Sequence, residues 1–178
     1  MRLIAERCLD KADREQLNAE QSAERVIGLT HLRLDRLRIG SMDGLELCNG
    51  ATHVHLQHNL LPEIESLEFF NSLQFLVLAN NQLEVLDGLA HLSTLRYLDV
   101  SANRIAEAPV AKLPPNLKAL DLYDNPCCAR AGYRAALVAG LAQLFALDGV
   151  DVTPRERRAV AAGGEGGEGG EGGEGGEG

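Results

Sequence analysis

Leucine and other apolar residues recur along the chain at one fixed spacing. The segments that show it are LTHLRLDRLRI, ATHVHLQHNLL, LQFLVLANNQL, LRYLDVSANRI and LKALDLYDNP. They begin at Leu29, Ala51, Leu73, Leu95 and Leu117, so that each starts 22 residues after the one before. All follow the pattern L-x-x-L-x-L-x-x-N-x-L with a few substitutions. Five copies in one register predict a solenoid of five repeats over residues 29–126.

The spacing within each repeat predicts its local structure. The two leucines of L-x-L, such as Leu76 and Leu78, point to one face of a short strand, while Val77 points to the other. Stacked strands form a parallel sheet whose inner face needs cover. The return segment EVLDGLAHLST supplies that cover, because its leucines can turn inward. We therefore expect an α/β solenoid in which the outer strand face forms a short, concave parallel β-sheet.

An asparagine follows the strand at the same position in four repeats. The four are Asn59, Asn81, Asn103 and Asn125, whereas the first repeat has Leu37 there. The sharp turn after each strand leaves buried amide and carbonyl groups without partners in the sheet. An asparagine amide has donors and an acceptor, so it can bridge the backbones of successive turns. We predict a structural asparagine ladder that starts one turn after the edge repeat.

Both ends of a solenoid need a cap, and the flanking segments have helical patterns. Residues 1–28 predict an N-terminal helical cap, with a helix from about Asp13 to Val26 whose N-cap is Asp13. Residues 127–162 predict a C-terminal cap, in which Tyr133, Leu137, Leu141 and Leu144 recur at helical spacing. Near its end, LDG at 147–149 predicts a turn. The run TPRE at 153–156 predicts a capping box that starts a last helix.

These motifs resemble a known repeat class. The 22-residue L-x-x-L-x-L-x-x-N unit is similar to the intracellular leucine-rich-repeat class typified by the phosphatase-1 regulator, axonemal dynein light chain 1 and the spliceosomal A-prime protein. The stretch NP…GYR…L…LFALDGVDVTPRER is similar to that class's C-terminal cap. The segments LIAERCL, LRLDRLRI and LPPNLKALDLYDNP, with GYR and an acidic tail, resemble more narrowly a member found in cilia and sperm flagella. The resemblance covers about residues 1–157.

Charge and composition narrow the alternatives. The net charge of −9 includes five glutamates in residues 163–178, where only glycine and glutamate occur. This Gly/Glu tail is expected to be disordered, and an acidic arm that touches a basic partner is the alternative. No long apolar window predicts a membrane span, and MRLIAERCLDKADRE does not match a secretory signal peptide. The spacing of the four cysteines, Cys8, Cys48, Cys127 and Cys128, fits no zinc pattern and favours free thiols in a reducing compartment.

The outward strand positions are the candidate partner-binding residues. They are His31, Arg33, His53, His55, Phe75, Val77, Tyr97, Asp99, Asp121 and Tyr123. Together they predict a face that grades from basic and histidine-rich, through an apolar centre, to acidic. The sequence also assigns Ala79 and Ser101 to this face. Exposed aromatic and apolar side chains between opposite charges suit a protein partner, although they could instead pack on each other or on a terminal segment.

The histidines are candidates for metal binding or for titration near neutral pH. His31, His53 and His55 can converge on the outer face, but zinc would need a fourth ligand in tetrahedral geometry, and only Asp35 lies near. We expect no metal and no cofactor. A titrating patch that strengthens binding to an acidic partner near pH 6 is the alternative. The chain has no G-x-S-x-G, no phosphate-binding glycine loop and no H-E-x-x-H, so we expect no enzymatic activity.

Three functions share this fold. The favoured hypothesis, which the family resemblance implies, is a non-enzymatic adaptor or structural component of the cilium or flagellum axoneme. Such a protein would be cytoskeletal and would bind protein partners in a large axonemal assembly through its concave face, with no membrane and no direct nucleic-acid contact, and it would be monomeric on its own. The alternatives are a regulatory subunit that docks on a protein phosphatase and a ribonucleoprotein component that holds an RNA-binding domain.

Overall fold

Short parallel strands occupy the same place in each repeat of the computed structural model, which describes residues 2–163. The strands are β1 (His31–Arg33), β2 (His53–His55), β3 (Phe75–Val77), β4 (Tyr97–Asp99) and β5 (Ala119–Asp121). Each pairs in parallel with the next, and residues 22 positions apart lie opposite each other, as His31 does with His53. This register confirms the predicted α/β solenoid.

Two further strands close the sheet at its C-terminal end. Strand β6 (Ala146–Leu147) pairs in parallel with β5, and β7 (Val150–Asp151) pairs with β6 in the antiparallel direction. The turn between them has positive φ angles at Asp148 (54°) and Gly149 (70°). Two left-handed residues in a two-residue hairpin loop define a type I′ turn, which suits the twist of the flanking strands. The LDG turn thus becomes a hairpin.

Each repeat buries its central strand residue and the leucines that flank it. Leu76, Leu78 and Leu83 of the third repeat have no exposed surface. The return segments close the other side of the core, and three of them contain a 3₁₀ turn, at Leu45–Cys48, Val110–Lys112 and Pro126–Ala129. In the third repeat the cover consists of the almost fully buried Leu86, Leu89 and Leu92. One apolar core therefore runs the length of the solenoid.

A left-handed residue stands just before each asparagine position. Its φ is 59° at Arg36, 60° at His58, 55° at Asn80, 51° at Ala102 and 58° at Asp124. None of these residues is glycine, although positive φ is uncommon for other residues. Each of the first four donates its backbone N–H to a carbonyl of the next turn, at 2.9–3.1 Å. Hydrogen bonding between turns therefore extends past the strands. The side chain that follows the left-handed residue points inward.

The asparagines bridge neighbouring turns through both ends of the amide. Asn81 Nδ2 donates to the carbonyl of Leu78 in its own turn (2.9 Å) and to that of Leu56 in the preceding turn (3.1 Å). Its Oδ1 accepts from the backbone N–H of Leu61 (3.1 Å). Asn103 and Asn125 repeat this geometry one and two turns later. Each asparagine therefore reaches back to the turn before it.

This direction explains why the first repeat has no asparagine. Asn59 Oδ1 accepts from the backbone N–H groups of Leu37 (3.0 Å) and Ile39 (3.1 Å), and its Nδ2 donates to the carbonyl of Leu34 (2.8 Å). The polar groups of the first turn are thus satisfied by the second repeat. An asparagine at Leu37 would have no earlier repeat to reach.

The N-terminal cap corrects the predicted helix from about Asp13 to Val26. Residues 2–27 form three helices, α1 (Arg2–Cys8), α2 (Lys11–Gln16) and α3 (Ala19–Ile27). The break falls at Asn18, whose side chain accepts from the N–H of Gln21 while the Gln21 side chain accepts from the N–H of Asn18. This capping box starts a new helix and ends the previous one. The N-cap of α2 is Asp10, and the prediction of Asp13 was wrong.

The C-terminal cap also differs in detail from the sequence prediction. Helix α4 (Tyr133–Gly140) ends before Leu141, so Leu144 is buried outside the helix. Helix α5 (Pro154–Gly163) starts as predicted at Pro154, and Thr153 Oγ1 accepts from the N–H of Glu156 (3.1 Å).

The capping box of α5 is incomplete because the Glu156 carboxylate has another partner. It forms an ion pair with Arg134 at 2.6 Å, which ties α5 to α4. The Arg134 guanidinium is the main cause that lowers the pKa of Glu156. Gly163, which the sequence assigns to the tail, is the last residue of α5. The predicted disorder of the rest of the tail, residues 164–178, lies outside the described residues.

Replacing Asn81 with alanine should lower the free energy of unfolding by about 1–3 kcal/mol, because it leaves a buried N–H and buried carbonyls unpaired. Urea denaturation measures the change. The matched control is Asn80→Gly, since Asn80 is the exposed neighbour and glycine accepts its left-handed φ. A urea midpoint equal to that of the wild type would rule out the bridging role of Asn81.

Candidate functional site

The outer face of the sheet carries two parallel columns of side chains. One column holds His31, His53, Phe75, Tyr97 and Ala119, which lie opposite each other in register. The other holds Arg33, His55, Val77, Asp99 and Asp121, two residues further along each strand. Adjacent strands lie about 4.8 Å apart, so the side chains of each column form a nearly continuous strip. All the predicted partner-binding residues except Tyr123 belong to these two columns.

The first column is a stack of rings, which we call the ring ladder: His31, His53, Phe75 and Tyr97. Ring centroids are 4.2 Å apart for His31 and His53, 4.8 Å for His53 and Phe75, and 5.5 Å for Phe75 and Tyr97. The first two pairs are nearly parallel, with interplanar angles of 10° and 11°. Because ring pairs stabilise each other across strands, the ladder is a stiff ridge.

A threonine hydroxyl lies beside the Nδ1 atom of each stacked histidine. Thr52 Oγ1 donates to the carbonyl of Thr30 (3.1 Å) and lies 2.9 Å from His53 Nδ1. These contacts hold the His53 ring in place at its Nδ1 edge. Thr30 Oγ1 makes the corresponding 3.0 Å contact with His31 Nδ1. Burial, then the charges of His31 and His55, lower the pKa of His53 below its usual range.

The far end of the ladder is held by a carboxylate. The Tyr97 hydroxyl donates to Asp121 Oδ2 at 2.8 Å, and the backbone N–H of Gly149 donates to Asp121 Oδ1 at 3.1 Å. Burial raises the pKa of Asp121, and the nearby carboxylates of Asp99 and Asp148 add to the rise. Burial and the Asp121 hydrogen bond raise the pKa of Tyr97 as well, so its hydroxyl stays a donor.

Two residues assigned to the face from sequence do not contribute surface. Ala79 is 7% exposed and Ser101 is 1% exposed. The Ser101 hydroxyl and N–H both donate to Asp99 Oδ1, at 2.6 and 3.0 Å, which folds the side chain down against its own turn. Tyr123, by contrast, is 48% exposed at the rim of the face. The accessible face is therefore narrower than the alternating pattern predicted.

Asp148 is a functional part of the sheet that the sequence did not single out. Its Oδ1 accepts from the N–H of Leu122 (2.7 Å) and its Oδ2 accepts from the Tyr133 hydroxyl (2.9 Å). In earlier turns the equivalent N–H bonds to a strand carbonyl of the next repeat, as Val100 does with Asp121. Strand β6 ends at Leu147, so the Asp148 side chain supplies the acceptor that a strand carbonyl supplies in the earlier turns. A carboxylate directly before a glycine at the hairpin was the available signal.

Two of the four thiols are made unreactive by burial. Cys8, Cys48, Cys127 and Cys128 are free, and burial raises the pKa of Cys48 to about 11 and that of Cys127 to about 12. Both thiols therefore stay protonated near neutral pH and are poor nucleophiles. Within residues 2–163 no group of three or more histidine, cysteine or acidic side chains is arranged to hold a metal ion.

Comparison with known proteins identifies the repeat. Residues 71–114 match the family model described as leucine rich repeats (2 copies). The fold is a leucine-rich-repeat solenoid. No curated protein matches the chain. The matched family model describes a repeat and does not indicate a catalytic family. Leucine-rich-repeat proteins are in general binding scaffolds.

Two solved structures with TM-scores above 0.5 agree on the fold. Internalin C2 of Listeria monocytogenes is 24% identical with a TM-score of 0.55, over 73% of this chain and 55% of that one. An internalin of the same organism, inlF, is 17% identical with a TM-score of 0.59, over 82% and 54%. The Drosophila melanogaster SNF/U2A′ complex is 19% identical over 74% and 79%, with a TM-score of 0.46. The chain spans about half the length of the two internalins, and this likeness concerns the fold alone.

None of the helices in residues 2–163 is both long enough and apolar enough to cross a bilayer.

The low pKa of His53 should make stability depend on pH. Because the folded state binds a proton less readily than the unfolded chain, whose histidines titrate near about pH 6.5, stability is full above that pH and falls as the pH drops. We expect His53→Phe, which keeps a ring in the ladder, to lose less stability between about pH 7.5 and about pH 5.5. Urea midpoints at both values measure the difference. Phe75→Leu, the control, should lower stability equally at both. An unchanged pH dependence in His53→Phe would contradict the role of His53.

Proposed function

We propose that this protein is a non-enzymatic adaptor or structural component of the cilium or flagellum axoneme, and that it binds a protein partner through the concave face. The protein-binding role follows from the leucine-rich-repeat fold. The axonemal location is the more specific claim. It would make the protein a cytoskeletal member of a large assembly within a cell projection.

One observation carries the binding role, and it is the exposed ring ladder. Phe75 is 38% exposed at the centre of the face, beside the partly exposed Val77. Stacking on His53 and Tyr97 leaves the outer edge of the Phe75 ring in solvent. A preformed aromatic ridge loses little conformational entropy on binding, which is the property of a good interface anchor. Solvent alone would favour polar side chains at these positions.

The resemblance of both caps, together with the edge repeat and the last repeat, supports the axonemal location. The segments LIAERCL, LRLDRLRI and LPPNLKALDLYDNP, together with GYR, resemble leucine-rich repeat-containing protein forty-six. That protein belongs to cilia and sperm flagella. The caps weigh more than the repeats here, because the repeat pattern is dictated by the shared fold and the caps are not.

Fractionation of cilia tests the axonemal location. A tagged chain expressed in ciliated cells should stay with the axoneme after detergent extraction and leave it only in high salt, because the charged ends of the face contribute to binding. A pool that is fully released by detergent would refute the axonemal part of the proposal.

A pair of matched variants tests the concave face in the same assay. Phe75→Ser removes the central ring of the ladder, and we expect it to weaken retention by about thirtyfold in affinity, the effect of losing an aromatic anchor. Phe69→Ser is the control, since Phe69 is 65% exposed in a return segment away from the ring ladder. Equal retention of the two variants would argue against binding through the concave face.

The alternatives have distinct outcomes in this experiment. A phosphatase regulatory subunit would co-purify with a phosphatase catalytic subunit from the detergent-soluble fraction. A ribonucleoprotein component would co-purify with RNA and would lose its partners after nuclease treatment. Either result would replace the axonemal proposal.

A further inference from the structure

We infer that the partner segment on the concave face is polarised, with acidic side chains over β1 and β2, an apolar side chain over β3, and basic side chains over β4 and β5. This inference rests on the proposed binding role of the concave face. It specifies the chemistry and the orientation of the partner, which the fold alone leaves open. The occupant to which it commits is a segment of another protein.

The N-terminal end of the face has an excess of positive charge, with three arginines and the single carboxylate of Asp35. Arg33, Arg36 and Arg38 are exposed and form no hydrogen bond or ion pair through their guanidinium groups within residues 2–163. Other arginines of the protein do pair, for example Arg130 with Glu107 at 2.6 Å and Arg134 with Glu156 at 2.6 Å. Three arginines without a charged partner therefore lie together on and beside the first strand of the binding face, where an acidic partner would reach them.

Three histidine rings lie at this end, and each donates to an acidic group when the ring nitrogen that faces it carries a proton. His55 lies between Arg33 and the apolar Val77 in the second column, and the charge of Arg33 lowers its pKa after burial does. His31 and His53 lie beside it with their Nε2 atoms free of protein partners in the described chain. Asp35 is the acidic side chain that faces His55 and partly offsets these charges.

The C-terminal end of the face has an excess of negative charge. Asp99 and Asp121 lie opposite each other on β4 and β5, and Asp148 lies near Asp121. None of the three has an ion pair within residues 2–163, and Asp121 receives only the neutral donors of Tyr97 and Gly149. Like charges opposed across neighbouring strands destabilise a sheet. A lysine or arginine of a partner would relieve this repulsion.

The two ends are too far apart to neutralise each other. Four strand steps separate β1 from β5, which is about 19 Å at 4.8 Å for each step. The Debye length at physiological ionic strength is about 8 Å, so each end is electrostatically independent. Each therefore attracts its own counter-charge, and a partner must supply both. A helix of about 13 residues or an extended segment of about 6 residues spans this distance.

The centre of the face separates the charged ends with apolar surface. Phe75 and Val77 lie side by side on the outer face of β3. An aliphatic side chain of the partner would cover them and would fix the register of the segment, because the charges on each side then meet their counterparts.

Synthetic peptides can test the polarity without knowledge of the natural partner. The probe is a fluorescent peptide of about 13 residues with four glutamates at one end, a leucine centre and four lysines at the other. Two comparison peptides keep the leucine centre and carry only glutamates or only lysines. We expect the bipolar peptide to bind the full chain about tenfold more tightly than either, because each single-sign peptide is repelled at one end.

Isosteric neutral variants locate the charges that matter. Asp99→Asn with Asp121→Asn keeps the acceptor atoms that the backbone uses and removes two negative charges. Its control, Glu63→Gln with Glu84→Gln, changes the net charge equally at exposed positions off the face. At the other end, Arg33→Gln with Arg36→Gln is matched by Arg155→Gln with Arg158→Gln on α5. Each variant on the face should weaken the bipolar peptide about threefold to tenfold, while the controls leave it unchanged.

The two face variants should also separate the single-sign peptides. The arginine variant should weaken the glutamate peptide and leave the lysine peptide unweakened, and the aspartate variant should do the reverse. Equal affinity for all three peptides, or equal effects of face and control variants, would overturn the inference. Tighter binding of a single-stranded RNA oligonucleotide than of the bipolar peptide would also overturn it, because a polyanion has no positive end for Asp99 and Asp121.

The results of these experiments distinguish a failure of this inference from a failure of the proposed function. If Phe75→Ser releases the protein from axonemes while the charge variants bind every peptide like the wild type, the concave face binds its partner without charge polarity. If the bipolar peptide binds as expected while Phe75→Ser stays on axonemes, the polarised site is retained and the axonemal contact lies elsewhere.

Discussion

The amide of a buried asparagine is the interaction on which this solenoid depends. In each turn a left-handed residue follows the strand, and that bend leaves carbonyl and N–H groups inside an apolar core. An asparagine pairs with groups of its own turn and of the turn before, as Asn81 does with Leu78 and Leu56. Leaving one such group unpaired would cost about 1–3 kcal/mol, which is comparable with the contribution of one buried leucine. The repeat length is therefore fixed at the value that stacks asparagine on asparagine.

The register of the core determines the register of the surface. Because every turn has 22 residues, side chains at one repeat position form a column on the concave sheet. The ring ladder from His31 to Tyr97 is one such column, and the charges from Arg33 to Asp121 form the next. Strand positions that do not contribute to the core are free to vary, and together they form a continuous surface. Binding chemistry can change along this surface without any change in the fold.

The leucines and asparagines predicted the strands and their order because both recur every 22 residues. Other features depend on contacts between residues that do not recur at a fixed spacing. The capping-box pair Asn18 and Gln21 is visible in the sequence, but it competes with the longer apolar pattern that favoured one helix from Asp13. No local pattern indicates that Glu156 prefers Arg134 to its own helix N-terminus. On the face, alternation identified Phe75 and Tyr97 correctly as outward. It also assigned Ala79 and Ser101 to the surface, but the bend after the strand buries both.

Hydrogen exchange at the amides that donate to asparagine tests the central claim most directly. The N–H groups of Leu61, Leu83 and Ile105 donate to Asn81, Asn103 and Asn125 at 2.9–3.1 Å. If the asparagines join the turns into one cooperative unit, these amides exchange only through global unfolding, with the same free energy as the buried Leu78 amide, which donates to the carbonyl of Asp99. Exchange as fast as that of the exposed Gly50 amide would show that the turns open separately and would contradict the account.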